Sequence, residues 1–156
     1  MRFKPQSEYR IETSGPAGGF DERPAQPLDV VVPVTTPDLT RASIKNAEHL
    51  ACGLNVRIRL VRVEIVPYPL QLASPPVPIE FLRKQLESYS SALPLRREVK
   101  LARDFEPALL KALRSDSIVL MTAKKRPWRT HNEWLAARLR RHGYPVILAF
   151  EGENHA

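Results

Sequence analysis

One stretch, Ser115 to Phe150, narrows the possible folds more than any other part of this chain. Ser115-Asp116 leads into Ile118-Val119-Leu120-Met121, an apolar run too short for a lone helix. Such a run suits a strand buried on both faces, the situation of a central strand in a parallel sheet. The chain then passes through residues 122–130, where Lys124, Lys125, Arg126 and Arg129 surround Pro127, so a positively charged loop is expected. Thr130-His131-Asn132-Glu133 fits a capping box, in which the threonine hydroxyl and the glutamate carboxylate each satisfy a backbone N–H of the first turn. The helix that follows carries Trp134, Leu135 and Leu139 as an apolar stripe, with Trp134 expected against the sheet. Arg138, Arg140, Arg141 and His142 suit the negative end of its dipole, and Gly143 can take a left-handed stop. Tyr144 to Phe150 reads as the next strand. Strand, helix and parallel strand in so short a stretch make one right-handed βαβ unit.

The rest of the chain repeats that alternation. Leu28 to Val34 is the first strand, although Pro33 lacks a ladder donor and is tolerable only where the chain leaves the sheet. Asp38 is expected to cap a helix over Leu39–Leu54, with Ser43, Ala47, Leu50, Ala51 and Leu54 on its apolar face and Gly53 near its end. Val56 to Val66 is the second strand; its polar and apolar positions change phase at Leu60-Val61, which predicts a bulge or a passage from a half-exposed to a buried setting. Prolines from Pro67 to Pro78 keep the next loop extended. A helix over Ile79–Ser90 is expected to turn Phe81, Leu82 and Leu86 inward. Val99 and Leu101 alternate with Arg97, Lys100 and Arg103 in a third strand whose charges suit a sheet edge. Asp104 then caps Phe105–Arg114, with Phe105, Leu109, Leu110 and Leu113 on one face. The order βαβαβαβαβ means a parallel sheet covered by helices on both sides.

Residues 1–27 mix glycine and proline without an apolar period and read as a tail, as do 152–156; the domain proper is 28–151. Cys52, the single cysteine, cannot form an internal disulfide, and nothing in the sequence places a base or cation beside it, so it is read as inert. With no hydrophobic signal segment at the N-terminus, a cytoplasmic setting is expected. No uncharged apolar run approaches the roughly 20 residues that cross a bilayer. A formal net charge of +7 favours anionic partners.

Several local strings, in order, resemble the universal stress protein family. Val32-Pro33-Val34-Thr35 stands where the family's first strand typically ends Val-Pro-Val-Asp, and the likeness accounts for the proline. Ala42, Ala47, Ala51 and Gly53 before Val56 are similar to its alanine-rich first helix. Asp116 to Thr122 is similar to the family's Asp-x-Ile-Val-Met-Gly strand, and Pro145-Val146-Ile147-Leu148-Ala149 to its closing Pro-Val-Leu-Val-Val. The likeness spans about Leu28 to Phe150. It implies a flavodoxin-like or adenine-nucleotide-hydrolase-like three-layer sandwich with a five-stranded parallel sheet of order 3-2-1-4-5. It also implies a homodimer in which Val146 to Phe150 meet edge to edge, and an unpaired apolar strand gives that pairing a local motive.

The chain departs from the family where ATP would bind. Members that bind ATP carry Gly-x2-Gly-x9-Gly-Ser/Thr after the fourth strand, so that backbone amides reach the phosphates with no Cβ in the way. This chain has no glycine between Gly53 and Gly143; Thr122 and Lys125 fall at the first two glycine positions, and Thr35 replaces the family's aspartate. ATP is therefore not expected to bind in the usual manner, and no cofactor or metal is expected. Lysines and arginines could hold an anion there by charge, aided by the positive end of the helix starting at Thr130.

These features are compatible with three functions. The first is a regulatory or stress-response binding protein that works through dimer contacts and does not hydrolyse nucleotide. The alternative is a nucleotide or phosphate-ligand binder that uses Thr35, Thr36, Thr122, Lys124, Lys125, Arg126 and Arg129 in place of glycines. The third is nucleic-acid binding, suggested by the basic charge and by Trp128 and Trp134 near arginines; it ranks last because no helix-turn-helix, RNA-recognition or zinc pattern is present. Catalysis is not expected. His49, His131, His142 and His155 lack partners at metal spacing, Ser117 beside Asp116 lacks a positioned base, and Asp116 reads as closing the turn before its strand.

Overall fold

A computed structural model of the chain describes residues 26–151. The tails read at 1–27 and 152–156 therefore lie outside the described residues, apart from 26 and 27. The elements run β1 (Leu28–Pro33), α1 (Pro37–Leu50), β2 (Val56–Ile65), α2 (Ile79–Glu87), β3 (Leu95–Ala102), α3 (Phe105–Ala112), β4 (Ile118–Lys124), α4 (His131–Arg141) and β5 (Val146–Glu151). All five strands are parallel in the order β3-β2-β1-β4-β5, as expected, and the charged β3 is an edge.

Side-chain alternation builds the three layers. Val30, Val32, Ile58, Leu60 and Leu120 point to one face, where Ile44 and Ala47 of α1 and Leu86 of α2 cover them. Val31, Val61, Val119 and Met121 point to the other, against Leu109 of α3 and Leu135 and Leu139 of α4. A strand with both faces covered can be apolar at successive residues, which is why β1 and β4 read as continuous runs.

The same alternation corrects the expected bulge in β2. Its register runs unbroken from Leu28↔Val56 to Pro33↔Val61 with β1 and from Ile58↔Leu95 to Ile65↔Ala102 with β3. The phase change arises because Ile58 and Leu60 fill one layer while Val61 and Val63 fill the other. Nor does the strand pass from half-exposed to buried: 58–61 are buried and the far end opens to solvent. Arg59, one of the charged positions in that alternation, is 3% exposed. It donates to both carboxylate oxygens of Asp29 at 2.9 Å, to Glu98 at 3.3 Å and to Ala112 O at 2.9 Å. Asp29 also accepts from Ser117 Oγ at 2.6 Å, so this clasp joins β1, β2, β3 and the residue just before β4.

Smaller corrections concern helix ends and stripes. The N-cap of α1 is Thr36 rather than Asp38: its hydroxyl accepts from Leu39 N at 3.4 Å, and Pro37 occupies the first turn, where a missing N–H costs nothing. Leu54 lies beyond the helix and is exposed, and Leu39 and Ile44 take the buried positions. In α2, Leu82 and Leu86 are buried but Phe81 is 53% exposed, because a short helix on a sheet edge buries only a narrow stripe. Gly143 has φ of 92°, the left-handed conformation expected of it. No helix among the described residues is long and apolar enough to cross a membrane.

Candidate functional site

In a doubly wound sheet, ligands gather where adjacent strands send their connections to opposite faces, here between β1 and β4. The pairing at this junction is short. β1 and β4 share only Val30↔Ile118 and Val31↔Val119, although β1 stays with β2 to Pro33 and β4 stays with β5 to Lys124. Backbone polarity explains the opening. Val34 N donates to Val61 O, so alternate residues of β1, Pro33 among them, face β4, and Pro33 has no N–H to give. Val119 N donates to Pro145 O, so Thr122 O faces β1. A continued ladder would bring Thr35 N–H to that carbonyl. Instead, Thr35 N donates to Thr40 Oγ1 at 3.0 Å, and Asn132 Nδ2 donates to Thr122 O at 2.7 Å. Asn132, buried at the start of α4, thus wedges the strands apart and lies 3.5 Å from Thr35 Oγ1.

The opening is a cleft of about 560 Å³. Its apolar lining is Val34, Leu39 and Phe105; Lys124, Arg126 and Arg129 supply charge, and Trp128 and His131 complete the wall. Thr36 and Thr130, which also line it, are the N-caps of α1 and α4, so two positive helix ends reach the same space. Thr130 Oγ1 accepts from Glu133 N at 3.4 Å, as the capping box predicts. No aspartate or glutamate lines the cleft. Among the described residues, no ion pair neutralises Lys124, Arg126 or Arg129, whereas Arg59, Arg62 and Arg138 each have a carboxylate partner.

Of the residues expected at this site, Thr35, Thr36, Lys124, Arg126 and Arg129 line the cleft together. Lys124 belongs to the end of β4 rather than to the loop. Thr122 and Lys125 are not in the lining. Thr122 is 1% exposed; its hydroxyl shares a hydrogen bond with Ser43 Oγ at 3.0 Å and accepts from Asn46 Nδ2 at 3.3 Å, which fastens α1 to the sheet. Lys125 is exposed. Sequence reasoning missed Phe105, Trp128, His131 and Asn132 as lining residues. Phe105 could have been found, since every β-to-α connection in such a sheet reaches the same carboxyl edge.

Trp134 does not pack against the sheet: it is 45% exposed, with the His131 ring 6.4 Å away on one side and the Arg138 guanidinium 5.0 Å from its centroid. Arg138 and His142 in turn meet Glu106 at 2.8 Å and 3.2 Å. The hydrogen bond from Arg138, opposed by burial and helped by His142, holds the Glu106 carboxyl below its ordinary range. Trp134 is thus engaged by its own helix. No three His, Cys, Asp or Glu side chains come together among the described residues in a way that could hold a metal ion.

The fold and the switch-point cleft define a doubly wound α/β protein with a five-stranded parallel sheet of order 3-2-1-4-5. No family model matches the chain, and no curated protein does. A solved structure of a protein from the universal stress protein family from Burkholderia pseudomallei is similar, with a TM-score of 0.52 and 18% identity over 81% of this chain and 98% of that one. The fold is therefore that of a universal stress protein, as the local strings suggested. Two of the positions likened to the family's glycine motif carry side chains in this chain. At one glycine position stands the buried Thr122 side chain, tied to α1, and at another the side chain of Lys125.

Proposed function

We propose that this chain is a non-catalytic binding protein of the universal stress type that holds a small anionic ligand in the β1–β4 cleft. One observation carries the reading: three cations without carboxylate partners among the described residues converge where two helix N-termini meet. Bringing like charges together is unfavourable unless an anion offsets them. The cleft lining holds no carboxylate to orient His131, and no group of His, Cys, Asp or Glu among the described residues could hold a metal, which favours a ligand that is held rather than transformed, with binding as the regulatory signal.

The test is thermal denaturation with inorganic pyrophosphate against chloride at matched ionic strength. Ligand at about 100 times its Kd stabilises the folded state by about 2.7 kcal/mol, so the midpoint should rise with pyrophosphate alone. Arg129→Gln should reduce the shift. Equal midpoints in the two salts would refute the proposal.

A second reading concerns assembly. β5 has only β4 beside it, and Ile147 is 39% exposed on that edge, which favours a homodimer through Val146 to Phe150.

A further inference from the structure

We infer that the ligand is a small organic anion with a flat apolar body and that it binds without a divalent metal. The inference rests on the proposed function, since it specifies what that cleft would take.

The walls divide the ligand into two parts. Lys124, Arg126 and Arg129 can meet one anionic head, and the planar guanidinium groups suit the paired oxygens of a carboxylate or phosphate. Part of the remaining lining is apolar: Phe105, with the small open edges of Val34 and Leu39, would stay wetted beneath a ligand that was charge alone. A space of about 560 Å³ is that of a small-molecule pocket, with room for a body as well as a head. Trp128 is 63% exposed at the wall, and the Arg126 guanidinium lies 5.9 Å from its ring centroid. That pair presents a flat surface on which an aromatic ring can stack while its anion meets the arginine.

The same walls argue against a nucleoside triphosphate. Magnesium is held at phosphate sites by one or two carboxylates, and ribose hydroxyls in dinucleotide sites are read by an acidic residue. The cleft has neither, and its cations would repel the metal. An anion that arrives without a metal meets all three cations directly.

Calorimetric titration of the intact chain in EDTA tests this with phenyl phosphate, benzoate, inorganic phosphate and benzyl alcohol. Phenyl phosphate or benzoate should bind at least about tenfold tighter than inorganic phosphate, because a buried ring adds to the head. The arm that wins identifies the head group. Benzyl alcohol should not bind, and replacing the EDTA by excess magnesium should leave the affinity unchanged or weaken it. Trp128→Ala, a change at an exposed position, should remove the ring's advantage and spare phosphate affinity. Phosphate equal to phenyl phosphate, or binding that requires magnesium, would overturn the inference while leaving an anion site. Failure of every anion would instead overturn the proposed function.

Discussion

Replacing Asp29 by alanine would remove the acid at the centre of the clasp that ties the amino ends of the sheet together. Asp29 is 2% exposed and Arg59 3%, so neither charge can turn to water when its partner is lost. Breaking a buried pair from one side costs roughly 3–5 kcal/mol, because the survivor stays buried without compensation. Arg59 would keep Glu98 at 3.3 Å and Ala112 O at 2.9 Å, which places the expected loss near the lower end, about 3 kcal/mol. For a domain of this size that is a fall in Tm of roughly 10 °C. Urea unfolding followed by circular dichroism at pH 7 measures it, with the slope on denaturant checked against the parent. Asp29→Leu combined with Arg59→Met should recover most of the loss, since a well-packed apolar pair can replace a buried ion pair. A loss under about 1 kcal/mol for Asp29→Ala, at unchanged slope, would refute the account. The pH dependence gives a second reading. Burial alone would push the Asp29 carboxyl up, but the hydrogen bonds and charge of Arg59 and the hydroxyl of Ser117 outweigh it and hold it below the ordinary value. A carboxyl depressed in the folded state stabilises above its unfolded range and loses that contribution as pH falls through its folded value. The parent should therefore keep the contribution at pH 7 and 5 and lose it only below about pH 4, and the slope there should be smaller in Asp29→Ala, with the depressed Glu106 carboxyl still contributing to it.

Other changes probe separate parts of the fold. Gly143→Ala places a Cβ in open space but at a φ of 92°, so it should cost about 1–2 kcal/mol of purely backbone origin in the same urea assay; no loss would contradict the left-handed stop. Trp134→Phe should change stability by less than about 1 kcal/mol, because the ring is 45% exposed; a larger loss would mean that it packs in the core after all. If β5 is the dimer edge, light scattering should give twice the 17.7 kDa chain mass, and Ile147→Lys should return the single mass. A single mass for the parent chain would end that reading.

The order of elements was legible because each rests on local chemistry: runs of Val and Ile, a Thr-x-x-Glu cap before α4 and a glycine after it. The charged edge of β3 was legible for the same reason. Arg59 was not, because its partners Asp29 and Glu98 lie on other strands, and periodicity along one strand cannot register what waits on the next. Thr36 lost to Asp38 in the sequence because both are capping residues; only Pro37 in the first turn distinguishes them. At the site, five of the seven expected residues reached the cleft. Thr122 failed for a reason of alternation: it shares a face with Leu120 and points under α1, two residues before Lys124 reaches the cleft at the strand's end. Phe105 and Trp128 come from different connections, so only the topology, which brings every β-to-α connection to one carboxyl edge, could have placed them together; nothing in either local neighbourhood does.

The two ends of the β1–β4 junction explain how one sheet can be both rigid and open. With only two register pairs between these strands, the ladder alone gives the junction little strength. At the amino end, Asp29 accepts from Ser117 and from Arg59, and Arg59 also meets Glu98, which ties the junction to β2 and β3. At the carboxyl end, Pro33 withholds a donor and Asn132 satisfies the carbonyl that would otherwise be stranded. The cleft can therefore remain open without leaving Thr122 O unpaired. Its charges sit on Lys124, at the last residue of β4, and on the loop that follows, outside the clasp and outside both core layers. Changes in the loop can alter the charge of the cleft while the sheet stays fixed, and this separation lets a chain keep the universal stress protein fold with other residues at the glycine positions.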